Sequence, residues 1–474
     1  MHRIILSAIT FLPGAIMALI PVIFTQPFNN AEGLTSYQKL ARDIFRELIE
    51  INTTVNNGST KAAEAMAARL RTAGFPDSDL QLIGPRPENK NLVVRYRGEG
   101  TKRPILFIAH LDVVEARRDD WSFDPFTFTE RDGYFYGRGT SDMKCEVADI
   151  VANFIRLKKE GFVPNRDIIV ALTDDEETGD ANGVRWLLAT HRSLVDAEYC
   201  INLEGGGGDI RNGKPELMEI QASEKVYISF QLEVKNPGGH SSRPVKENAI
   251  YRLAAALTRL ARFEFPISLN ETTRVFFERT ARLEAGQLKN DMLAILKEPI
   301  DAAAASRLAD LSPYHNAMMR TTFVPTMLNA GHAENALPQT ARAVVNCRML
   351  PDDNVEHLFS TLKRLVADSL VVITPLNDPF ISPPSPLQMD VLETVEGLTA
   401  SMWPGVLVTP VMSTGSTDGK YLRHEGIPVY GVSGMFTDMD DVRAHGKDER
   451  IGVKEFYDGV EFMYGFVKGL TSGS

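Results

Sequence analysis

Cysteine is scarce. The 474 residues contain three, Cys145, Cys200 and Cys347, and they stand far apart with no CxxC pair. That excludes a disulfide framework or a thiolate metal knuckle as the organising element, and buried free thiols are the expectation. A basic surplus is also missing: 51 Lys+Arg stand against 62 Asp+Glu, a formal net charge of −11. A nucleic-acid partner would need basic patches that this balance does not provide. Internal repeats and low-complexity linkers are absent. One segment lacks charge altogether, for after Arg3 no charged side chain occurs before Glu32. A short basic start followed by a long apolar run reads as an export signal over residues 1–33. The run approaches the roughly 20 residues that span a bilayer, and no clean small-x-small cleavage site follows it. Two localisations therefore stand: an exported protein, periplasmic or secreted, or one held to the membrane by an uncleaved N-terminal anchor.

The length exceeds one ordinary core, so two domains are expected. From about Leu34 helical and strand patterns alternate. "LARDIFRELIEI" sets Leu40, Ile44, Phe45, Leu48 and Ile49 on one helical face. "NLVVRYRG", "PILFIAH", "DIIVALT" and "YCINLE" are short β-rich runs with helical segments between several of them. This is the rhythm of an α/β domain with a largely parallel, buried sheet. Near Ala222 the pattern changes: "KVYISFQLEV" alternates with period two, as a strand with one wet face does. A helix, two strands, a helix and "VVITP" follow, giving the split β-α-β-β-α-β order of a ferredoxin-like α+β unit. A helical, Ala-rich insertion, about 264–320, interrupts it, and the α/β rhythm resumes near Ser385. The expected organisation is a larger domain in two parts, 34–221 and 385–474, with a smaller domain inserted over 222–384.

"IIVALTDDEETGD", Ile168 to Asp180, places Asp174, Asp175, Glu176 and Glu177 in a row at the end of an apparently buried strand. A solvated acidic loop is the plain explanation, but other strand ends carry similar groups. "LFIAHLD" ends with His110 and Asp112, "YGRGTSDMK" brings Asp142, and "CINLEGGGG" brings Glu204. Ligands of open α/β sheets bind beyond the carboxyl ends of the strands, and imidazole with carboxylate is the donor set of hydrolytic zinc. Clustered carboxylates cost several kcal/mol unless a cation or a proton compensates them.

The motifs "HLDVV", "YGRGTSDMK", "DDEETG", "GGHSSRP", "NALP" and "AHGKDERI" occur in the order found in the M20 family of metallopeptidases and amidases. The chain resembles that family over nearly all of its length after the N-terminal segment. The resemblance implies a zinc-exopeptidase-type catalytic domain formed by 34–221 and 385–474, a lid or dimerisation domain formed by the inserted 222–384, and two divalent metal ions per subunit, zinc first, with cobalt or manganese satisfying the same donors. It implies Asp142 as the bridging carboxylate, His110 and Glu204 completing one site, and Glu177 and His445 the other. Glu176 is then the general base, and Asp112 the carboxylate that fixes the His110 tautomer. The peptide bond after Asp142 is expected to be cis. Asp174 and Asp175 are read as loop residues, and Cys145, where many relatives have glycine, as a core thiol. In the inserted domain the resemblance makes His240 the oxyanion donor, often supplied by the partner subunit of a homodimer. Asn335 and Arg348 match residues that hold a substrate's polar end, commonly a carboxylate. Gly415, in "GSTDGKY", offers a backbone donor to the substrate.

The implied reaction is cleavage of an amide in a small peptide, as an exopeptidase of the carboxypeptidase kind. The same machinery serves an N-acyl-amino-acid amidase of the aminoacylase kind. An inactive ligand-binding relative is a third reading, but it would be expected to lack the base or a ligand, and every position here is filled.

Overall fold

The computed structural model describes residues 33–472. The segment read as a signal or anchor, 1–33, lies outside these residues but for its last position. No helix among the described residues is long and apolar enough to cross a membrane.

The larger sheet has ten strands. Its centre is built from runs with no exposed position, Ile105–His110 and Ile168–Thr173, which pair in parallel with His110 opposite Thr173. Cys200–Asn202 and Val429–Gly431 extend the parallel core on the other side of Ile105–His110. Strands buried on both faces need helices over both, which is why these runs read as continuous apolar sequence rather than as alternation. The helix Lys144–Lys159 is buried over most of its length, Cys145 included. It begins directly after the cis peptide bond Asp142–Met143. The Lys144 ammonium is buried and donates to the carbonyls of Leu48 (2.9 Å) and Ile51 (2.8 Å). It thereby caps the C-terminal end of the helix Ser36–Glu50. All three cysteines are free and buried.

The second sheet has four antiparallel strands in the order Thr322–Ala330, Thr340–Met349, Val226–Lys235, Val371–Pro375. The helices Ala249–Ala261 and Val355–Val366 pack on one face, where Phe230, Leu232, Leu253, Val345 and Leu362 form the core. The β-α-β-β-α-β order is thus present. The crossing between sheets differs from the sequence reading, which placed it near Ala222. The strand Lys214–Glu224 belongs to the large sheet throughout, so only Lys225 separates the two sheets. Ile220–Glu224 is buried without a break, as the central strands of the large sheet are, and alternation begins only with Val226–Lys235. Thr322–Ala330 is an edge strand, with Val324, Met327 and Leu328 more than half exposed.

The insertion forms four helices, Glu271–Thr280, Gly286–Ala294, Ala302–Leu311 and Pro313–Met319. Its apolar faces bury Phe276, Phe277, Met292, Leu308 and Met318 with Val411 and Met412 of the strand Leu407–Ser413. The insertion is therefore anchored on the large sheet, and the edge of the small sheet stays uncovered.

Candidate metal centre

The carboxyl ends of the parallel strands converge with two loops. His110 closes its strand and is 2% exposed. Its Nε2 lies 3.0 Å from Asp142 Oδ1. His445 Nε2 lies 3.0 Å from the other oxygen, Asp142 Oδ2, and 2.9 Å from Glu177 Oε1. Asp142 therefore stands between two imidazoles that are 335 positions apart in sequence, on the order expected for a bridging carboxylate. Donor atoms of His110, Asp142 and Glu177 lie within 4.8 Å of one another, and so do those of His110, Glu176 and Glu204. All six residues named from the sequence for the metals and the base are thus brought together.

The electrostatics follow from burial. Burial opposes the Asp142 charge, but hydrogen bonds with His110 and His445 hold its carboxyl well below the usual range. The His445 imidazole is pushed up to about 10 by Asp142 first and Glu177 next. Burial pushes the Glu176 carboxyl up to about 8, with the nearby Asp418 adding to it. Glu204 rises well above its ordinary value by burial and then by Glu176. Glu204 Oε2 is buried with no hydrogen-bond partner. A buried lone carboxylate oxygen, opposite an imidazole and beside further carboxylates, is the donor arrangement that divalent cations complete. The residues present fit a metal centre.

One assignment changes. The Asp112 carboxylate does not take the ring N–H of His110. His110 Nδ1 lies 3.0 Å from the Asp112 carbonyl oxygen and 3.6 Å from its carboxylate. The two carboxylate oxygens accept instead the backbone amides of Glu176 (3.2 Å) and Glu177 (3.1 Å). Asp112 thus orients the imidazole with its main chain and the acidic pair with its side chain. Asp174 and Asp175 lie in the loop after the strand, as read, but are buried rather than solvated. Asp174 is 2% exposed and accepts from Ser59 Oγ (2.6 Å), Ser59 N (3.2 Å) and Asn89 Nδ2 (2.7 Å). Asp175 takes a left-handed φ of 62° and accepts from the Thr178 hydroxyl and the Ala181 amide. Finally, His240 and Asn335 are exposed on a small ribbon, where Ser241 N donates to the Asn335 carbonyl at 3.0 Å. Neither borders a cavity beside the centre.

Two cavities flank the acidic cluster. One, about 410 Å³, is bordered by Glu176, Glu177, Arg185, Tyr227, Arg348 and Lys420. Arg348 lies on the strand Thr340–Met349 of the small sheet, with its guanidinium 4.8 Å from the Tyr227 ring centroid. The other cavity, about 320 Å³, is bordered by Glu204 and by Gly415. Gly415 N is engaged by Ser413 Oγ at 3.0 Å.

Sequence reasoning missed Asp418 and Glu449. Asp418 is 3% exposed, accepts from Asn182 Nδ2 at 2.6 Å, and rises to about 6 through burial, while Lys420 works the other way. Its signal was an acid in the glycine-flanked loop after a buried strand. Glu449 is fully buried. It accepts from Arg138 Nη1 (2.5 Å) and from the amides of Gly139 (3.2 Å), Ser141 (2.8 Å) and Asp142 (3.1 Å). Arg138 Nη2 also donates to the His445 carbonyl at 3.3 Å. One buried ion pair therefore holds both the Asp142 loop and the His445 loop. The small sheet formed by Thr129–Arg131, Tyr134–Tyr136 and Arg450–Gly452 fastens the same two segments. Glu449→Ala leaves Arg138, 3% exposed, as an uncompensated buried charge. Chemical denaturation should show a loss of about 3–5 kcal/mol, and a loss below about 1 kcal/mol would refute the clamp.

Residues 106–469 match peptidase family M20/M25/M40. The chain is 31% identical over 397 residues to the human N-fatty-acyl-amino acid synthase/hydrolase PM20D1, covering 81% of this chain and 78% of that protein. It is 30% identical over 480 residues to a probable carboxypeptidase S-like 2 of Dictyostelium discoideum, covering 93% and 90%. The fold matches that of the M20 family metallo-carboxypeptidase Sso-CP2 from Sulfolobus solfataricus, with a TM-score of 0.69 at 17% identity over 90% of this chain and 98% of that one. A matching family over most of the chain and relatives at this identity leave one conclusion: the chain belongs to peptidase family M20/M25/M40, and is a hydrolase of peptide or other amide bonds.

Proposed function

We propose that the chain is a co-catalytic two-metal exopeptidase of the carboxypeptidase kind, which cleaves the amide bond next to a free carboxylate in a small peptide. The carrying observation is the cavity beside Glu176, bordered by the cations Arg185, Lys225, Arg348 and Lys420. Guanidinium groups suit a carboxylate because they offer a paired fork of donors, and a substrate carboxylate held there presents its amide to the acidic cluster. N-acyl amino acids carry the same carboxylate, and the likeness to human PM20D1 keeps an amidase as the second reading.

Asp142 would lie between the two ions, with His110 and Glu204 holding one, and Glu177 and His445 the other. Zinc suits this nitrogen and oxygen set, as do cobalt and manganese. Bound ions supply Lewis acidity, lowering the pKa of a water and polarising the scissile carbonyl. The Glu176 carboxylate accepts the proton of the attacking water and delivers it to the leaving nitrogen. Asp112 keeps Glu176 and Glu177 in register through their amides. Arg348 and Lys420 fix the substrate's carboxylate. Glu176→Gln should keep its metal content and lose at least about 10²-fold in turnover, whereas His110→Ala should lose metal by elemental analysis. Wild-type turnover in Glu176→Gln would assign the base elsewhere.

His240, exposed and remote from both cavities in one chain, would act as oxyanion donor in the active site of a second copy. The open edge strand Thr322–Ala330, with its exposed Met327 and Leu328, supplies a surface for two-fold pairing. Mixing inactive Glu176→Gln and His240→Ala subunits should restore activity through mixed dimers that contain one intact site. Proven subunit exchange without recovered activity would refute the cross-subunit role.

The export reading of the N-terminal segment places the enzyme outside the cytoplasm, free or anchored, where peptide scavenging is the expected role. Cell fractionation should find it outside the cytosol, and a purely cytosolic enzyme would overturn this placement.

A further inference from the structure

The second cavity lies on the Glu204 side of the centre, and Ser416 borders both cavities. If the scissile amide sits at Glu176 with its carboxylate end among the cations, the acyl part of the substrate faces this second space. Its lining decides which acyl groups fit. Tyr314 and Val411 are its apolar contributors, and the rest are glycines or polar side chains, including Glu219, Gln221 and Ser413. A long alkyl chain packed there would bury the Glu219 carboxyl without a partner, which is costly.

Glu219 and Gln221 lie on the strand Lys214–Glu224, and a two-residue repeat puts both on the same face. Glu219 is half-buried. Its carboxyl accepts no hydrogen bond and forms no ion pair among the described residues. The cation that acts on it, Arg211, is instead placed 3.4 Å from Asp209 and 3.5 Å from Glu216. Burial, with Asp209 adding, pushes the Glu219 carboxyl up to about 8. Opposite stands Tyr314 of the inserted helix Pro313–Met319, its ring 6.1 Å from that of Phe276. The tyrosine hydroxyl has no hydrogen bond among the described residues. The pair Gly205–Gly206 is fitted to the same wall. A Cβ on Gly205 would meet Gln221 Oε1 at 2.1 Å, and one on Gly206 the Gly431 carbonyl oxygen at 2.4 Å. Bare backbone is needed to bring Glu204 this close to the strand that carries Glu219.

We propose that this cavity binds an aminoacyl group, with Glu219 and the Tyr314 hydroxyl receiving its free α-ammonium, so that the enzyme prefers dipeptides with a free N-terminus over N-acyl amino acids. The assignment rests on the amide-hydrolase reading above. It gives the helical insertion a role in specificity, because Tyr314 comes from it.

The test compares alanyl-leucine with propionyl-leucine, which differ only by the amine, on the zinc-loaded full-length protein. The wild type should favour alanyl-leucine by at least about 10-fold in kcat/KM, the scale of a charge-assisted hydrogen bond. Glu219→Gln should remove about 10- to 100-fold from alanyl-leucine and leave propionyl-leucine within about twofold. Tyr314→Phe, which deletes only a hydroxyl, should give a smaller loss with the same selectivity, and serves if Glu219→Gln fails to fold. Binding is read separately by calorimetry in the Glu176→Gln background, where alanyl-leucine should bind more tightly than propionyl-leucine only while Glu219 is present. Equal use of the two substrates by the wild type, or an equal loss on both in the variants, would overturn the assignment even if hydrolysis is robust. Amine-dependent binding that needs Glu219, without hydrolysis of either compound, would uphold the cavity's role and refute the hydrolase reading instead.

Discussion

The structure is organised around one electrostatic problem: several carboxylates are crowded into one space. Asp112, Asp142, Glu176, Glu177, Glu204 and Asp418 face a region in which His110 and His445 are the nearby imidazoles. Burial first, and the neighbouring carboxylates next, raise the carboxyl pKa values in such a cluster, as Glu176 and Glu204 show. Cations offset that repulsion. The peptide dipoles around it do part of the same work, since the amides of Glu176 and Glu177 point at Asp112. Those of Gly139, Ser141 and Asp142 point at Glu449. Each acid is oriented by its own donors, which is how neighbours in one acidic run come to do different things. Asp174 ties the loop to Ser59 and Asn89, Asp175 shapes the turn, and Glu176 and Glu177 face the centre.

Around that cluster the fold separates charge. Cations line the cavity toward the small sheet, and the other cavity carries acids and amides. An amide substrate with a carboxylate at one end is polar in a definite direction, and a site with opposite linings on its two sides reads that direction. The helical insertion is anchored through Val411 and Met412 to the large sheet, so Tyr314 is held against the strand that carries Glu219. The small sheet delivers Arg348 from across the junction at Lys225. That lysine is buried, brought down to about 7 by burial, and donates to the Arg320 carbonyl at 2.7 Å. A single residue tied to the far end of the insertion leaves little slack between the two sheets.

By itself the sequence determined the elements and the chemistry. Buried parallel strands declare themselves as unbroken apolar runs, and a donor at each strand end follows from where the runs stop. This made His110, Asp142, Glu176, Glu177 and Glu204 legible, and the motif order added His445 from the far side of the insertion. Tertiary structure alone decided the partners. No local pattern tells that Asp112 receives two backbone amides rather than a ring proton, because the choice depends on how close Glu176 and Glu177 are drawn. Nothing local in "AHGKDERI" marks Glu449 as buried, yet it is fully buried against Arg138, 311 positions away. Which sheet Lys214–Glu224 and Val226–Lys235 each join is set by the strands they pair with, not by either run alone. Residue type and period are local properties and survive in one dimension; burial, hydrogen-bond partners and the sidedness of a cavity are set by chain segments that meet only after folding.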